Sequence, residues 1–206
     1  MSHSVIVREY GAPEISRREI YRYMSCREQN DEIDALIDRA CALCLDKLSY
    51  RVCYTEFPIS FANGEVDLGF ITTESHDLQK CIDGCDSIIL FAATVGLELD
   101  RLIKKFGLFE PSVALCLQAI GSERVESLCD LFCDEIKASY AAEGKQTRPR
   151  FSAGYGDLPL ALQKEIVSTL SCNKNIGITL NDSLLMSPSK SVTAIIGIKT
   201  VKNENT

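Results

Sequence analysis

The chain has 206 residues, of which 46% are hydrophobic and 25% charged, an ordinary globular composition with enough apolar surface for a sizeable core. Lys and Arg number 22 against 29 Asp and Glu, a formal charge of −7 without a basic stripe, which argues against a nucleic-acid binder. The longest apolar run, residues 87–95, is about half the ~20 residues a membrane helix needs. The opening MSHSVIVREYG lacks the apolar run and small-residue cleavage site of a secretory leader, so a cytoplasmic protein is expected.

In chain order, Ser16-Arg-Arg-Glu19 is a capping box and predicts a helix to about residue 25. Asn30 and Asp31 can cap a second helix to about Leu48, its apolar face formed by Ile33, Leu36, Ile37, Ala40, Cys44 and Leu48. The period then drops to two: Val52, Tyr54 and Glu56 alternate with their neighbours, as do Val66, Leu68 and Phe70. Asn63-Gly64 between them signals a hairpin. SIILFAATV (87–95) is apolar on both faces and reads as a buried central strand. A short helix through Leu99, Leu102 and Ile103 should stop at Gly107. Pro111 should open a long helix to about Ala142, ended by Gly144. Residues 144–150 read as a polar connection, and Asp157 is placed to cap a helix over 159–170. Ile176, Ile178 and Leu180 alternate as a strand, residues 191–198 (SVTAIIGI) read as a second buried strand, and 199–206 as a tail. Strands scattered among helices without a βαβ rhythm imply an α+β domain with a mixed or antiparallel twisted sheet flanked by helices. The chain is expected to form one domain, 1–206, with a helical and hairpin part at 1–85 and a ligand-binding part at 86–198.

Ten cysteines and two histidines, His3 and His76, bound the metal chemistry. Cys41 and Cys44 form a CxxC, but inside an apolar helical pattern, where cysteine acts as a small hydrophobe. Reduced core thiols are the expectation and a zinc or iron–sulfur site the alternative. No GxGxxG after a strand, GxxxxGK[ST], HExxH or GxSxG occurs, so the usual nucleophilic and dinucleotide sites have no footing.

The segment that stands out is RFSAGYGDLPL (150–160). Glycines flank Tyr155, Ser152 and Ala153 are small, and the backbone is free to approach a ligand closely. Arg150 offers a two-pronged contact to a carboxylate, and Tyr155 a ring face to a cation. The plain alternative is a tight left-handed turn with Arg150 solvated. On the preceding helix Glu126, Asp130 and Asp134 recur at i, i+4, i+8, a row that by itself is a solvated face.

Arg150, Gly154, Tyr155 and Pro159 resemble the S-adenosylmethionine-binding signature of the activation (reactivation) domain of cobalamin-dependent methionine synthase. Gly177, Asn181, Asp182, Ser183, Met186, Ser191 and Val192 continue the likeness, and Glu126 aligns with a ligand-binding glutamate. The likeness is clearest over 86–198; the first ~80 residues resemble only stand-alone members. It implies an S-adenosylmethionine site of Glu126, Arg150, Ser152, Gly154 and Tyr155, with no catalytic acid or base and no metal ligand, while Asp130 and Asp134 stay on the solvated face. It further implies reductive methylation of the cobalamin of a separate methionine synthase chain, with an electron donor such as a flavodoxin. The chain lacks a DxHxxG cobalamin-ligand motif: around His76, Glu74 and Gln79 stand where Asp and Gly are needed. Two features of the fused domains are unmatched, the acidic residue just before the arginine and a late tyrosine. The alternatives are reactivation of another corrinoid methyltransferase, or a non-catalytic S-adenosylmethionine-binding or docking module.

Overall fold

The structure, a computed structural model, describes residues 4–26 and 28–201. His3 and the tail beyond 201 lie outside the described residues. In chain order the elements are β1 (Ile6–Tyr10), α1 (Arg17–Tyr23), α2 (Asp31–Cys44), β2 (Tyr50–Pro58), β3 (Ser60–Ala62), β4 (Glu65–Asp67), β5 (Thr72–Thr73), α3 (His76–Cys81), β6 (Ser87–Thr94), α4 (Glu98–Phe109), α5 (Pro111–Ala142), β7 (Lys145–Thr147), α6 (Gln163–Thr169), α7 (Cys172–Ile176), β8 (Thr179–Leu180), β9 (Met186–Ser187) and β10 (Ser191–Thr200).

The main sheet is antiparallel throughout, in the order β1-β2-β6-β10-β7. The class is therefore α+β, with helices on both faces. Alternation along the strands sorts the core. Val52, Tyr54, Ile89, Phe91, Ala194 and Ile196 face α1, α2, α4 and α5. Cys53, Phe57, Ile88, Leu90 and Ile195 face α3, α6 and α7. Covered on both faces, β6 is buried at every position after Ser87, which is why its sequence shows no alternation. No helix among the described residues is long and apolar enough to cross a membrane.

Both early helix starts appear as expected: Ser16 Oγ accepts from Glu19 N–H, and Asn30 Oδ1 from Glu32 N–H at 2.7 Å. Elsewhere the chain departs from its local signals. The turn at Asn63-Gly64 forms, with both residues left-handed (φ 55° and 84°), but its arms are β3 and β4. β2 pairs instead with β6, from Arg51↔Thr94 to Pro58↔Ser87. α4 runs through Gly107 and stops at Glu110, because the residue before Pro111 is driven out of the helical region (φ −141°, ψ 76°). The polar connection after Gly144 contains an edge strand, β7, paired with Ile198–Thr200 of β10; the strand thus outruns the tail boundary set at 199. Ile176 ends helix α7, closed by Gly177 at φ 77°, and only Thr179 and Leu180 are extended. β1 has no counterpart among the expected elements; its residues are half-exposed at a sheet edge and carry little hydrophobic signal.

Asp157 does not cap the helix that follows it. A turn of 3₁₀ helix (Leu160–Leu162) precedes α6, and the Asp157 carboxylate crosses to the start of α3. There Ser75 Oγ–H donates to Oδ1, His76 N–H to Oδ2 at 2.7 Å and Asp77 N–H to Oδ1 at 3.2 Å.

One long-range anchor is ionic. Glu123 and Arg124, both 1% exposed on α5, pair with each other at 2.5 Å. Arg124 also donates to the carbonyls of Pro13 and Glu14 at 2.6 and 2.7 Å, and Glu123 accepts from Ser16 N–H at 2.9 Å. The segment joining β1 to α1 is thereby fastened to the middle of α5.

Candidate ligand site

A cavity of about 440 Å³ opens where the loop after β7 crosses the edge of β10. Its walls come from three separate stretches: Glu126 of α5, the loop at 150–155, and Met186 with Ser191, Val192 and Thr193 at the chain's end. Gln163, the first residue of α6, closes the far side.

The loop's shape follows from its glycines. Gly154 (φ 90°) and Gly156 (φ 54°) both lie in the left-handed region, and a Cβ on Gly156 would collide with the Asp77 carboxylate. Gly154 N–H donates to Leu158 O at 2.9 Å and Leu158 N–H to Tyr155 O at 3.0 Å, closing a tight turn. Tyr155 stands at its tip, 69% exposed at the cavity mouth. On the entering side Phe151 exchanges both backbone hydrogen bonds with Ile195 at 2.8 Å, seating the loop on β10. On the leaving side Asp157 fastens it to α3.

Arg150 is not solvated. Its side chain is 26% exposed and forks between two carboxylates one helical turn apart: Nη2 donates to Glu126 Oε2 at 2.5 Å and Nη1 to Asp130 Oδ1 at 2.7 Å. Asp130, 69% exposed on the outer face of α5, is at once solvated and tied to the arginine. Asp134, exposed one turn on, is in no ion pair among the described residues. Burial works against the Arg150 charge, but the Asp130 and Glu126 carboxylates outweigh it, and the guanidinium pKa is raised. Cys129 beside it is a thiol that burial holds protonated, its pKa pushed up.

Of the residues singled out in sequence, Glu126, Arg150, Ser152, Tyr155, Met186, Ser191 and Val192 line one cavity, and Gly154 shapes the turn between them. Pro159 begins the 3₁₀ turn that leads into α6. Asn181, Asp182 and Ser183 stand apart from the cavity lining. Asn181 Oδ1 accepts from Ser183 and Leu185 N–H at 3.0 and 2.9 Å, building the turn between β8 and β9. Gln163 and Thr193 were missed. Thr193 carried only the weak signal of a hydroxyl inside the apolar run SVTAIIGI, and Gln163, next to Lys164 and Glu165, carried none.

All ten cysteines are free, and Cys41 and Cys44 lie on α2 against the core. Burial pushes the Cys44 thiol up to about 12. Among the described residues no three His, Cys, Asp or Glu side chains gather to hold a metal. His76 is exposed at the start of α3.

No protein-family model and no curated protein matches the sequence. Solved structures do match. One, titled as the MetH reactivation domain bound to AdoHcy, superposes with a TM-score of 0.71 at 16% identity, covering 94% of this chain and 78% of that one. The chain has the fold of the MetH reactivation domain, the family that its Arg-x-x-x-Gly-Tyr loop resembles.

Proposed function

We propose that this chain binds S-adenosylmethionine in the cavity beside β10 and presents the methyl group to the cobalamin of a separate methionine synthase chain in the cytoplasm. The observation that carries the reading is the meeting of Arg150, Glu126 and the Tyr155 loop around one cavity, on a fold shared with a domain solved with AdoHcy.

The residues fit such a ligand chemically. The cavity falls in the usual size range for small-molecule sites, roughly 300–1,000 Å³. Arg150 spends one N–H on each carboxylate, which leaves donors for a ligand carboxylate while Glu126 and Asp130 fix the plane of the fork. Glu126 keeps Oε1 to accept from an ammonium or a ribose hydroxyl. The exposed Tyr155 ring offers a face to a sulfonium at the mouth, where a partner would approach.

The partner's cobalamin, reduced by one electron from a donor such as a flavodoxin, would supply the nucleophile, and breaking the S–CH3 bond would release S-adenosylhomocysteine as a neutral thioether. The protein's contribution is position: charge at one end of the cavity, a ring at its mouth, and a loop pinned at both ends so that the geometry is preset. No acid, base or nucleophile of this chain is required.

The test is calorimetric titration with S-adenosylmethionine and a thermal melt at millimolar ligand. Stoichiometric binding with a raised Tm is expected; a flat titration with an unmoved Tm rejects the reading. Single-turnover methyl transfer to a cobalamin-loaded methionine synthase chain tests the second half. Binding without transfer would reduce the chain to a ligand-binding module.

A further inference from the structure

The corner where α4 turns into α5 carries apolar surface that nothing in the chain covers. Leu108 and Phe109, the last two residues of α4, are each 76% exposed, and Leu115, one turn into α5, is 52% exposed. A single exposed leucine is ordinary, but three large apolar side chains at one corner make a patch suited to an interface. The corner is also held in place: Arg39 of α2 grips the Glu110 carboxylate with both terminal nitrogens, at 2.6 and 2.9 Å.

The charges beside the patch have two signs, on two helices. On α4, Lys104 and Lys105 lie one turn before Leu108 and Phe109, exposed and in no ion pair among the described residues. The acids of α4 are engaged elsewhere: Glu98 pairs with Arg101, and Asp100 accepts from Ser189. On α2, Asp31 and Glu32 stand exposed in the first turn, likewise in no ion pair among the described residues. The Arg39–Glu110 pair sets the corner against α2. The patch is therefore flanked by a basic helix face on α4 and an acidic one on α2.

Such a surface is complementary to itself. A two-fold axis through its apolar centre carries the basic flank of each copy onto the acidic flank of the other. An anionic membrane would meet the α2 acids and the −7 charge of the chain, and a partner of one sign would suit one flank and repel the other. We propose that this corner is the interface of a homodimer. Leu108 and Phe109 pack at its centre, and Lys104 and Lys105 of each copy face Asp31 and Glu32 of the other. Along α5, Leu115 is about 16 Å from Glu126 at the helical rise, so the pairing leaves the ligand cavity open.

The experiment is sedimentation velocity on the full chain over a concentration series, at low and high salt. The wild type should dimerise, more weakly at high salt. Replacing Leu108→Ser and Phe109→Ser together should raise the dimer Kd roughly tenfold or more. Lys104→Glu with Lys105→Glu in one protein, and Asp31→Lys with Glu32→Lys in another, should each be monomeric alone, because like charges then meet. Mixed in equal amounts the two should form a dimer again, since both flanks of the mixed pair join opposite signs. A wild type that stays monomeric throughout overturns the interface. So does a dimer indifferent to the Leu108 and Phe109 replacements, or a charge-reversed mixture that stays monomeric.

Discussion

Arg150 is held on one side by Glu126 and Asp130, and this double grip decides what its replacement does. Arg150→Lys keeps the charge but offers a single point in place of a planar fork, so one carboxylate loses its partner and the donor plane is gone. S-adenosylmethionine affinity should fall roughly tenfold or more, as read by calorimetry. Asp130→Asn should weaken binding modestly by loosening the fork, whereas Asp134→Asn should leave it unchanged. Equal losses from Asp134→Asn and Arg150→Lys would show that the ligand lies elsewhere. At this scale Arg150 and the glycine-flanked Tyr155 stood out by type, whereas Glu126 came only through the family resemblance, since a row of acids by itself reads as a solvated face. What brings Gln163 and Thr193 into the cavity wall is the packing of distant segments, which no local pattern records.

Several elements carry residues whose worth depends on a remote partner. Gly121 lies inside α5, where Gly→Ala ordinarily stabilises by about 1 kcal/mol. Here the added Cβ would strike buried Leu99 and come within 2.9 Å of Lys190 Cγ, so Gly121→Ala should destabilise, by about 1–3 kcal/mol in urea unfolding. Asp157 is the counterpart at α3. Its carboxyl is held below the ordinary carboxylate range by the Ser75 hydroxyl first and by the N–H groups of His76 and Asp77. Stability from that pairing is present above the ordinary value of 3.8 and is lost as pH falls through the lowered one. Asp157→Asn should therefore lower Tm at neutral pH and flatten its fall below about pH 4, in melts taken across that range. An unchanged acid slope would remove Asp157 from the linkage. Periodicity found α2 and α5, which bury one face, and unbroken apolar runs found β6 and β10, which are covered on both. Both misjudged the pieces whose pairing is long-range: β1 and β7 at the sheet edges, the arms of the 63–64 turn, and the helix Asp157 serves.

At the scale of the molecule, the α+β class followed from the irregular mixing of strand and helix signals, while the strand order could not, since β6 pairs on one side with β2 and on the other with β10, roughly a hundred residues further along the chain. The joint most exposed to damage is the ion pair in the middle of α5. Arg124→Met would strand the Glu123 carboxylate in the core and release the carbonyls of Pro13 and Glu14, a loss of about 3–5 kcal/mol in denaturant unfolding. Replacing both partners with apolar residues should cost much less than Arg124→Met alone. The pairing of β2 with β6 has a different kind of consequence. The residues that line the cavity all lie beyond position 85, which invites cutting the chain there to obtain a smaller binding unit. Such a fragment would begin with SIILFAAT as a bare sheet border, seven of its eight residues made for burial and every second amide and carbonyl left without a mate. A border of that kind recruits copies of itself into aggregates. The pocket is thus not portable: whoever transplants it must carry the first strand pair along.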